Sequence, residues 1–221
     1  MSKLSKDDFS NENIKFGTFK KIEINNKKIL AQRLSYVGEI GFELYMEMKD
    51  SKEIFNLITE KGKEFNLSLC GMLAMDTMRM ESGYLHWGHD ISPEENQYEA
   101  GLGFAISYKK EINFIGKDAL LNIKDKKLSK KFIMLVLKES KPGEPLLLHD
   151  EPIYLDKEIV GRTTSGNYSF NFNKNLSFGY IKSDLNIDDL QKKNIFIEIE
   201  KKKYSAIILE KPLNDKSKVL N

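Results

Sequence analysis

The stretch FIMLVLK, residues 132–138, begins a region whose sequence differs from everything before it. From about Lys131 onward, short apolar runs recur, and Gly, Pro, Asn and Asp separate them. Several short strands with turn signals between them are typical of a small antiparallel barrel or sandwich. The further runs are EPIYL (151–155), EIVGRTTS (158–165), SFGYI (177–181), NIFIEIE (194–200) and YSAIILE (204–210).

The part of the chain before these runs mixes predicted strands and helices. Two strands flank Asn25 and Asn26, residues that tolerate the positive φ of a tight hairpin turn. FELYMEM, residues 42–48, predicts a third strand, and residues 50–66 predict a helix with Asp50 as its N-cap. Further predictions are a helix in 70–83, a strand at 102–108 and a short helix at 116–124.

Composition describes a globular protein of one or two domains. Of 221 residues, 31% are charged and 40% are hydrophobic, and the net charge is +2. This near-neutral balance gives no indication of nucleic-acid or membrane-surface binding, and no apolar run reaches the ~18 residues of a membrane helix. The single cysteine, Cys70, excludes a disulfide framework, favours a cytosolic setting and is predicted to be a buried thiol.

The stretch SYVGEIGFELY, residues 35–45, is unusual for a strand because Gly38 and Gly41 interrupt it. Glu39 and Glu43 stand an even number of positions apart, so an unbroken strand would place them on one face. A carboxylate beside aromatic rings can accept two parallel N–H donors from a heterocycle such as a pterin or guanine. The alternative is an exposed strand face on which the glycines mark a bulge.

A second polar region follows the predicted helix at 70–83. Asp76 and Arg79 are three residues apart on that helix, and the spacing predicts a local ion pair. HWGHD, residues 86–90, predicts a loop anchored by Trp87. Its two histidines and one aspartate are too loosely spaced to predict a metal site. The sequence contains no nucleophile elbow, no P-loop and no dinucleotide-binding fingerprint.

Six blocks of the sequence carry a family resemblance: SYVGEIGFELY (35–45), DTMRMESGYLHWGHDISPEENQYEAGLGFAI (76–106), FIGKDALL (114–121), PLLLHDEPIY (145–154), VGRTTSGNYSF (160–170) and LSFGYI (176–181). Together they resemble the folate-binding, aminomethyltransferase-like portion of dimethylglycine and sarcosine dehydrogenases, which is related to the glycine cleavage T-protein. The resemblance runs from about Asp8 to Pro212 and begins inside the family's folate module, so an N-terminally truncated module is expected. It implies an α+β fold, with a partial folate-binding domain at 1–125 and a C-terminal antiparallel Greek-key-type β-barrel at 126–221.

The resemblance also implies a ligand and the residues that bind it. Glu43 would bind the pterin edge of tetrahydrofolate, Tyr36 and Tyr45 would line the same pocket, and Tyr84 would form a further wall. Reaching one pocket would require a bend between Tyr36 and Glu43. The catalytic group is unknown, because the family's aspartate lies in the half-module that has no matching segment. T-proteins carry an arginine where this chain has Met75, which favours the dehydrogenase branch.

Three functions remain open at this stage. The first is the tetrahydrofolate-binding portion of a dimethylglycine or sarcosine dehydrogenase-like enzyme, with FAD supplied only by a separate upstream domain or flavoprotein subunit. The second is a stand-alone, folate-dependent aminomethyltransferase. The third is a non-catalytic folate-binding remnant.

Overall fold

The computed structural model describes residues 1–182, 184–215 and 219, so the last residues of the predicted second domain lie outside the described part. The chain divides into two compact units, Met1–Ser82 with Asn214–Asn221, and Gly83–Leu213. The boundary predicted between residues 125 and 126 stays a prediction. Among the described residues, no helix has the length and apolar character needed to cross a membrane.

The first unit is a three-stranded antiparallel sheet packed against one long helix. Strand β1 (Phe19–Ile24) and strand β2 (Lys27–Gln32) form the predicted hairpin. Asn25 and Asn26 both have positive φ, as a two-residue hairpin turn requires. Strand β3 (Glu43–Tyr45) pairs with β2 and is shorter than the predicted strand, because the chain enters a helix at Met48.

Helix α1 (Met48–Gly62) covers one face of this sheet. Its core contains Ile22, Ile24, Ile29 and Ala31 from the sheet and Ile54 from the helix, all buried. The helix begins after Glu47, which makes no side-chain capping bond, so the prediction of Asp50 as the N-cap is wrong. Asp50 instead pairs with Lys27 at 3.1 Å, an ion pair between the helix and the hairpin.

Helix α2 (Met72–Glu81) follows in the first unit, after a short 3₁₀ turn at Lys63–Phe65. Cys70 lies before α2 and is exposed, so the prediction of a buried thiol is wrong. The helix ends before Ser82, and Gly83 with its positive φ of 72° provides the turn out of it.

The second unit contains a closed six-stranded antiparallel barrel. Before the barrel, residues 102–108 form a 3₁₀ turn at Gly103–Ala105 and no strand, so the prediction of a strand there is wrong. The predicted short helix is confirmed as α3 (Lys117–Ile123). The six strands of the barrel are β4 (Lys131–Leu137), β5 (Pro152–Leu155), β6 (Glu158–Ser169), β7 (Lys174–Ile181), β8 (Ile195–Ile199) and β9 (Lys202–Leu209). They follow the order β4-β7-β6-β5-β8-β9 around the barrel, which confirms the Greek-key-type barrel. A short helix α4 (Ile187–Gln191) precedes the fifth of these strands.

Candidate functional site

Glu43 and Tyr45 form a hydrogen-bonded pair on β3. The Tyr45 hydroxyl donates to Oε2 of Glu43, and this bond raises the pKa of Tyr45, with smaller contributions from burial and from the carboxylate charge. Glu43 is half-buried and Tyr45 is 51% exposed. The phenol therefore remains a donor throughout the neutral range and holds one carboxylate oxygen in place.

This pair lies on the face of the sheet opposite to the core. In the register, Gln32 is directly across from Glu43 and Leu30 is across from Tyr45, so these four side chains share one face. The alternate residue Leu44 packs against the buried core under α1. The alternation of β3 thus presents a carboxylate and a phenol on the face that α1 leaves uncovered.

The bend predicted between Tyr36 and Glu43 is confirmed, because residues 33–42 contain no strand. Gly38 lies at the centre of this turn with φ 75° and is buried. A Cβ atom at Gly38 would stand 1.9 Å from Ser82 Oγ and 2.4 Å from Asn214 Nδ2. The position therefore requires glycine for its backbone conformation and for its close packing.

Tyr84 belongs to the second compact unit, whereas the other three predicted site residues belong to the first. It is half-buried, and burial raises the pKa of its hydroxyl. The structure thus brings Glu43 and Tyr45 into direct contact and places Tyr36, also half-buried, in the adjoining turn. Tyr84 lies in the loop that follows α2.

The ion pair predicted on α2 is confirmed. Arg79 Nε donates to Asp76 Oδ1 at 2.7 Å. The Arg79 side chain is almost fully buried, whereas the Asp76 side chain is 32% exposed, so this pair lies at the edge of the interior. Among the methionines of the helix, Met80 is buried but Met72 is 68% exposed.

The loop 86–90 is organised by Asp90, whose importance the sequence did not indicate. The Asp90 carboxylate is buried and accepts bonds from the His86 backbone N–H at 2.9 Å, Thr164 Oγ1 at 2.6 Å and Ser165 Oγ at 2.8 Å. It therefore ties the loop to β6. Trp87 is 65% exposed, so the prediction that it anchors the loop is wrong.

Two further carboxylates, the half-buried Glu95 and the buried Glu99, connect the loop after Asp90 to the start of the barrel. Glu95 accepts from Lys130 Nζ and, at 2.7 Å, from Ser92 Oγ, and Glu99 accepts from Ser129 Oγ. Burial acts to raise the pKa of Glu95, but the hydrogen bonds from Lys130 and Ser92 together lower it. In the sequence, the closely spaced acidic residues of SPEENQYE (92–99) signal these carboxylates. They do not indicate that Ser129 and Lys130 are the partners.

The described part of the chain contains no candidate metal-binding site. No group of three or more His, Cys, Asp or Glu side chains there is arranged to hold an ion. The rings of His86 and His89 are stacked, with centroids 4.5 Å apart. The chemistry that these residues offer is that of carboxylates, phenols and imidazoles.

Comparison with known proteins gives two family matches that follow one another along the chain. Residues 1–110 match the GCVT N-terminal domain, and residues 130–215 match the glycine cleavage T-protein C-terminal barrel domain. Aminomethyltransferase T of Bartonella henselae shares the fold, with a TM-score of 0.76 over 92% of this chain and 54% of that protein, at 20% identity.

Curated relatives include both oxidising enzymes and transferases. Human mitochondrial dimethylglycine dehydrogenase is 33% identical over 96% of this chain. The formaldehyde-forming 4-methylaminobutanoate oxidase of Paenarthrobacter nicotinovorans is 30% identical over 97% of it. An aminomethyltransferase of Geobacillus sp. (strain WCH70) is 32% identical over 99% of it. The chain spans 24%, 25% and 58% of the lengths of these three proteins, respectively.

Proposed function

The chain belongs to the glycine cleavage T-protein family, together with aminomethyltransferases and dimethylglycine dehydrogenase, and from that premise we propose that it binds tetrahydrofolate. In this proposal the bound folate receives a one-carbon unit from an N-methyl amine, after the methyl group has been oxidised to an iminium. The observation that carries the proposal is the half-buried carboxylate of Glu43, fixed by the Tyr45 hydroxyl on the sheet face opposite to α1.

The Glu43 carboxylate has the capacity that a pterin edge requires. Oε2 accepts the Tyr45 hydroxyl, and Oε1 makes no hydrogen bond to any residue that the structure describes. Each carboxylate oxygen has two lone pairs, so both oxygens can still accept a donor. The ring N–H and the exocyclic amine of a pterin donate in parallel, and a carboxylate matches that pair.

Aromatic side chains would cover the flat faces of the pterin. Tyr45 is adjacent to the carboxylate, and Tyr36 lies in the turn that leads to β3. The further wall expected from Tyr84 stays a prediction. Ring-on-ring contacts of this kind add about 0.5–1.5 kcal/mol each beyond the area that they bury.

The one-carbon step divides between this chain and a partner. A nitrogen of tetrahydrofolate attacks the iminium carbon, and a new C–N bond forms as the iminium electron pair returns to the amine nitrogen. A second folate nitrogen then bonds to the same carbon as the original amine C–N bond breaks, and the amine leaves with the protons that the two folate nitrogens lose. We assign the earlier oxidation to a flavoprotein domain or subunit, because the chain spans only 24% of dimethylglycine dehydrogenase and 25% of 4-methylaminobutanoate oxidase. Exposed apolar side chains of the first unit support a polypeptide partner, among them Phe65, Leu69, Met72 and Leu73.

Calorimetric titration with tetrahydrofolate tests the binding proposal. The change Glu43→Gln replaces one acceptor oxygen by a donor group and removes the charge. A hydrogen bond to a charged group is worth about 1.5–3 kcal/mol, so affinity should fall about 10- to 150-fold. The control is Glu23→Gln, because Glu23 lies on the same sheet face at the far end of β1. Equal affinity of the two variants would remove Glu43 from the site.

A stand-alone aminomethyltransferase is the second candidate, and the match to a transferase over 99% of this chain favours it. Methylene-tetrahydrofolate formation should be measured with the chain alone and an aminomethyl donor, whose carbon is already at the oxidation level of the product, and separately with an N-methyl amine and a flavoprotein that oxidises it. Product only in the presence of the flavoprotein supports the dehydrogenase-like function, and product from the chain alone supports the transferase. Folate binding without product in either mixture would identify a non-catalytic binding protein.

A further inference from the structure

Arg33 is a buried cation in the first unit, directly after β2. The alternation of β2 directs Ile29 and Ala31 into the core, and Arg33 continues that alternation. Its backbone N–H donates to Thr18 O and its carbonyl accepts from Gly17 N, both at 2.9 Å. Only 3% of the residue is exposed.

The protein satisfies one terminal nitrogen of the guanidinium with neutral groups. Nη1 donates to the side-chain oxygen of Asn11 and, at 3.0 Å, to the carbonyl of Ile14. No carboxylate within residues 1–182, 184–215 and 219 forms an ion pair with Arg33. Because a buried charge without a counter-ion is costly, the charge of this guanidinium remains to be compensated.

The opposite edge of the guanidinium has no protein partner among the described residues. Nε is buried and makes no hydrogen bond there. Nη2 likewise makes no hydrogen bond to those residues. Unlike Nε, it is not fully buried, so it retains contact with solvent. These two nitrogens direct parallel N–H bonds from one edge, the geometry that grips the two oxygens of a carboxylate or phosphate.

We propose that the Nε–Nη2 edge of Arg33 binds a small oxyanion, either a carboxylate or a phosphate group. The ligand enters from the side of Nη2, the nitrogen that reaches solvent, and its second oxygen reaches Nε only when the packing around that enclosed nitrogen opens. This site is separate from Glu43, which stands on the opposite face of the sheet. Its presence therefore does not depend on folate binding.

The experiment uses the whole chain with ¹⁵N-labelled arginine. The sequence has three arginines, Arg33, Arg79 and Arg162, so the Nε–H region of the spectrum contains few signals. Sodium formate, sodium phosphate and sodium chloride are titrated separately at matched ionic strength. Formate or phosphate should shift the Arg33 signal to saturation, and at ten times the dissociation constant the melting temperature should rise by about 3–6 °C.

Two variants assign the effect to the guanidinium edge. Arg33→Lys keeps the charge and removes the paired donors, so the oxyanion-dependent rise should disappear. The control is Arg162→Lys, because Arg162 is an exposed arginine paired with Asp150 at 3.1 Å, and this variant should respond like the wild type. If Arg33→Lys does not fold, the wild-type titration decides alone.

The pattern of responses identifies the ligand class. Saturation with formate only indicates a carboxylate ligand, saturation with phosphate only indicates a phosphate group, and saturation with both supports a general oxyanion site. A signal that responds to formate and phosphate no more than to chloride would overturn the proposal.

Discussion

Replacing Gly38 by alanine should destabilise the first unit more than any comparable glycine change. Alanine at φ 75° costs about 1–2 kcal/mol. The new Cβ would also displace Ser82 Oγ and Asn214 Nδ2, which stand 1.9 Å and 2.4 Å from its position. Asn214 Nδ2 donates to Gly38 O at 3.3 Å and to Ser82 Oγ at 3.1 Å, and each lost bond is worth about 0.5–1.5 kcal/mol.

The expected loss in the free energy of unfolding is therefore about 2–5 kcal/mol. Gly17→Ala is the matched control, because Gly17 has φ 79° and nothing lies within 4 Å of the point that a Cβ atom would occupy there. That variant should lose only the backbone contribution, about 1–2 kcal/mol. Urea denaturation followed by far-ultraviolet circular dichroism compares the two variants. Equal losses would refute the reasoning that packing around Gly38 fixes the turn.

Three further changes test individual interactions. Asp90→Asn should lower the free energy of unfolding by about 2–3 kcal/mol in urea denaturation, because the buried hydrogen bonds to a charged carboxylate are lost and one of its two acceptor oxygens becomes an N–H₂ donor. Glu43→Gln should move the ionisation of the Tyr45 phenol back toward its ordinary pKa of 10.0, measured by ¹³C NMR of labelled tyrosine. Lys130→Met should cost about 1–3 kcal/mol at neutral pH. The lowered pKa of Glu95 contributes stability that is present above pH 4.5 and is lost as the pH falls below that value. Without Lys130, the protein should therefore lose less stability on acidification.

Each of these changes has an exposed counterpart. Asp184→Asn and Lys127→Met alter a solvent-exposed ion pair and should each change stability by less than about 0.5 kcal/mol. The pKa of Tyr154, which Glu198 raises, should not respond to Glu43→Gln. An Asp90 or Lys130 effect no larger than its counterpart, or a Tyr154 shift equal to that of Tyr45, would contradict the assignments.

The barrel could be predicted because each of its strands is signalled locally. Runs such as NIFIEIE combine β-branched and aromatic residues with flanking turn residues, and each of the six predicted runs between residues 132 and 210 forms a strand of the barrel. LGFAISY has a similar composition, but the chain turns there as a 3₁₀ segment at Gly103–Ala105. A run of apolar residues predicts burial of side chains, and it does not by itself provide a neighbouring strand to pair with.

The candidate site was less predictable because its contacts are not local. The Tyr45–Glu43 bond joins residues two apart on one face and follows from strand alternation. Asp90 meets Thr164 and Ser165 more than seventy positions away, and Arg33 meets Asn11 only after the N-terminal segment folds over the hairpin. The roles of Tyr36 and Tyr84, the cytosolic setting and the domain boundary stay predictions.

The contact between Glu43 and the pterin edge can be observed directly with tetrahydrofolate labelled with ¹⁵N in the pterin ring. In the complex, the ring N–H proton should appear as a resolved downfield signal protected from exchange with water, because a carboxylate accepts it. The same signal should be lost or shifted upfield in Glu43→Gln and unchanged in Glu23→Gln. A saturated complex whose pterin N–H exchanges freely, or whose signal is the same in Glu43→Gln, would contradict the account.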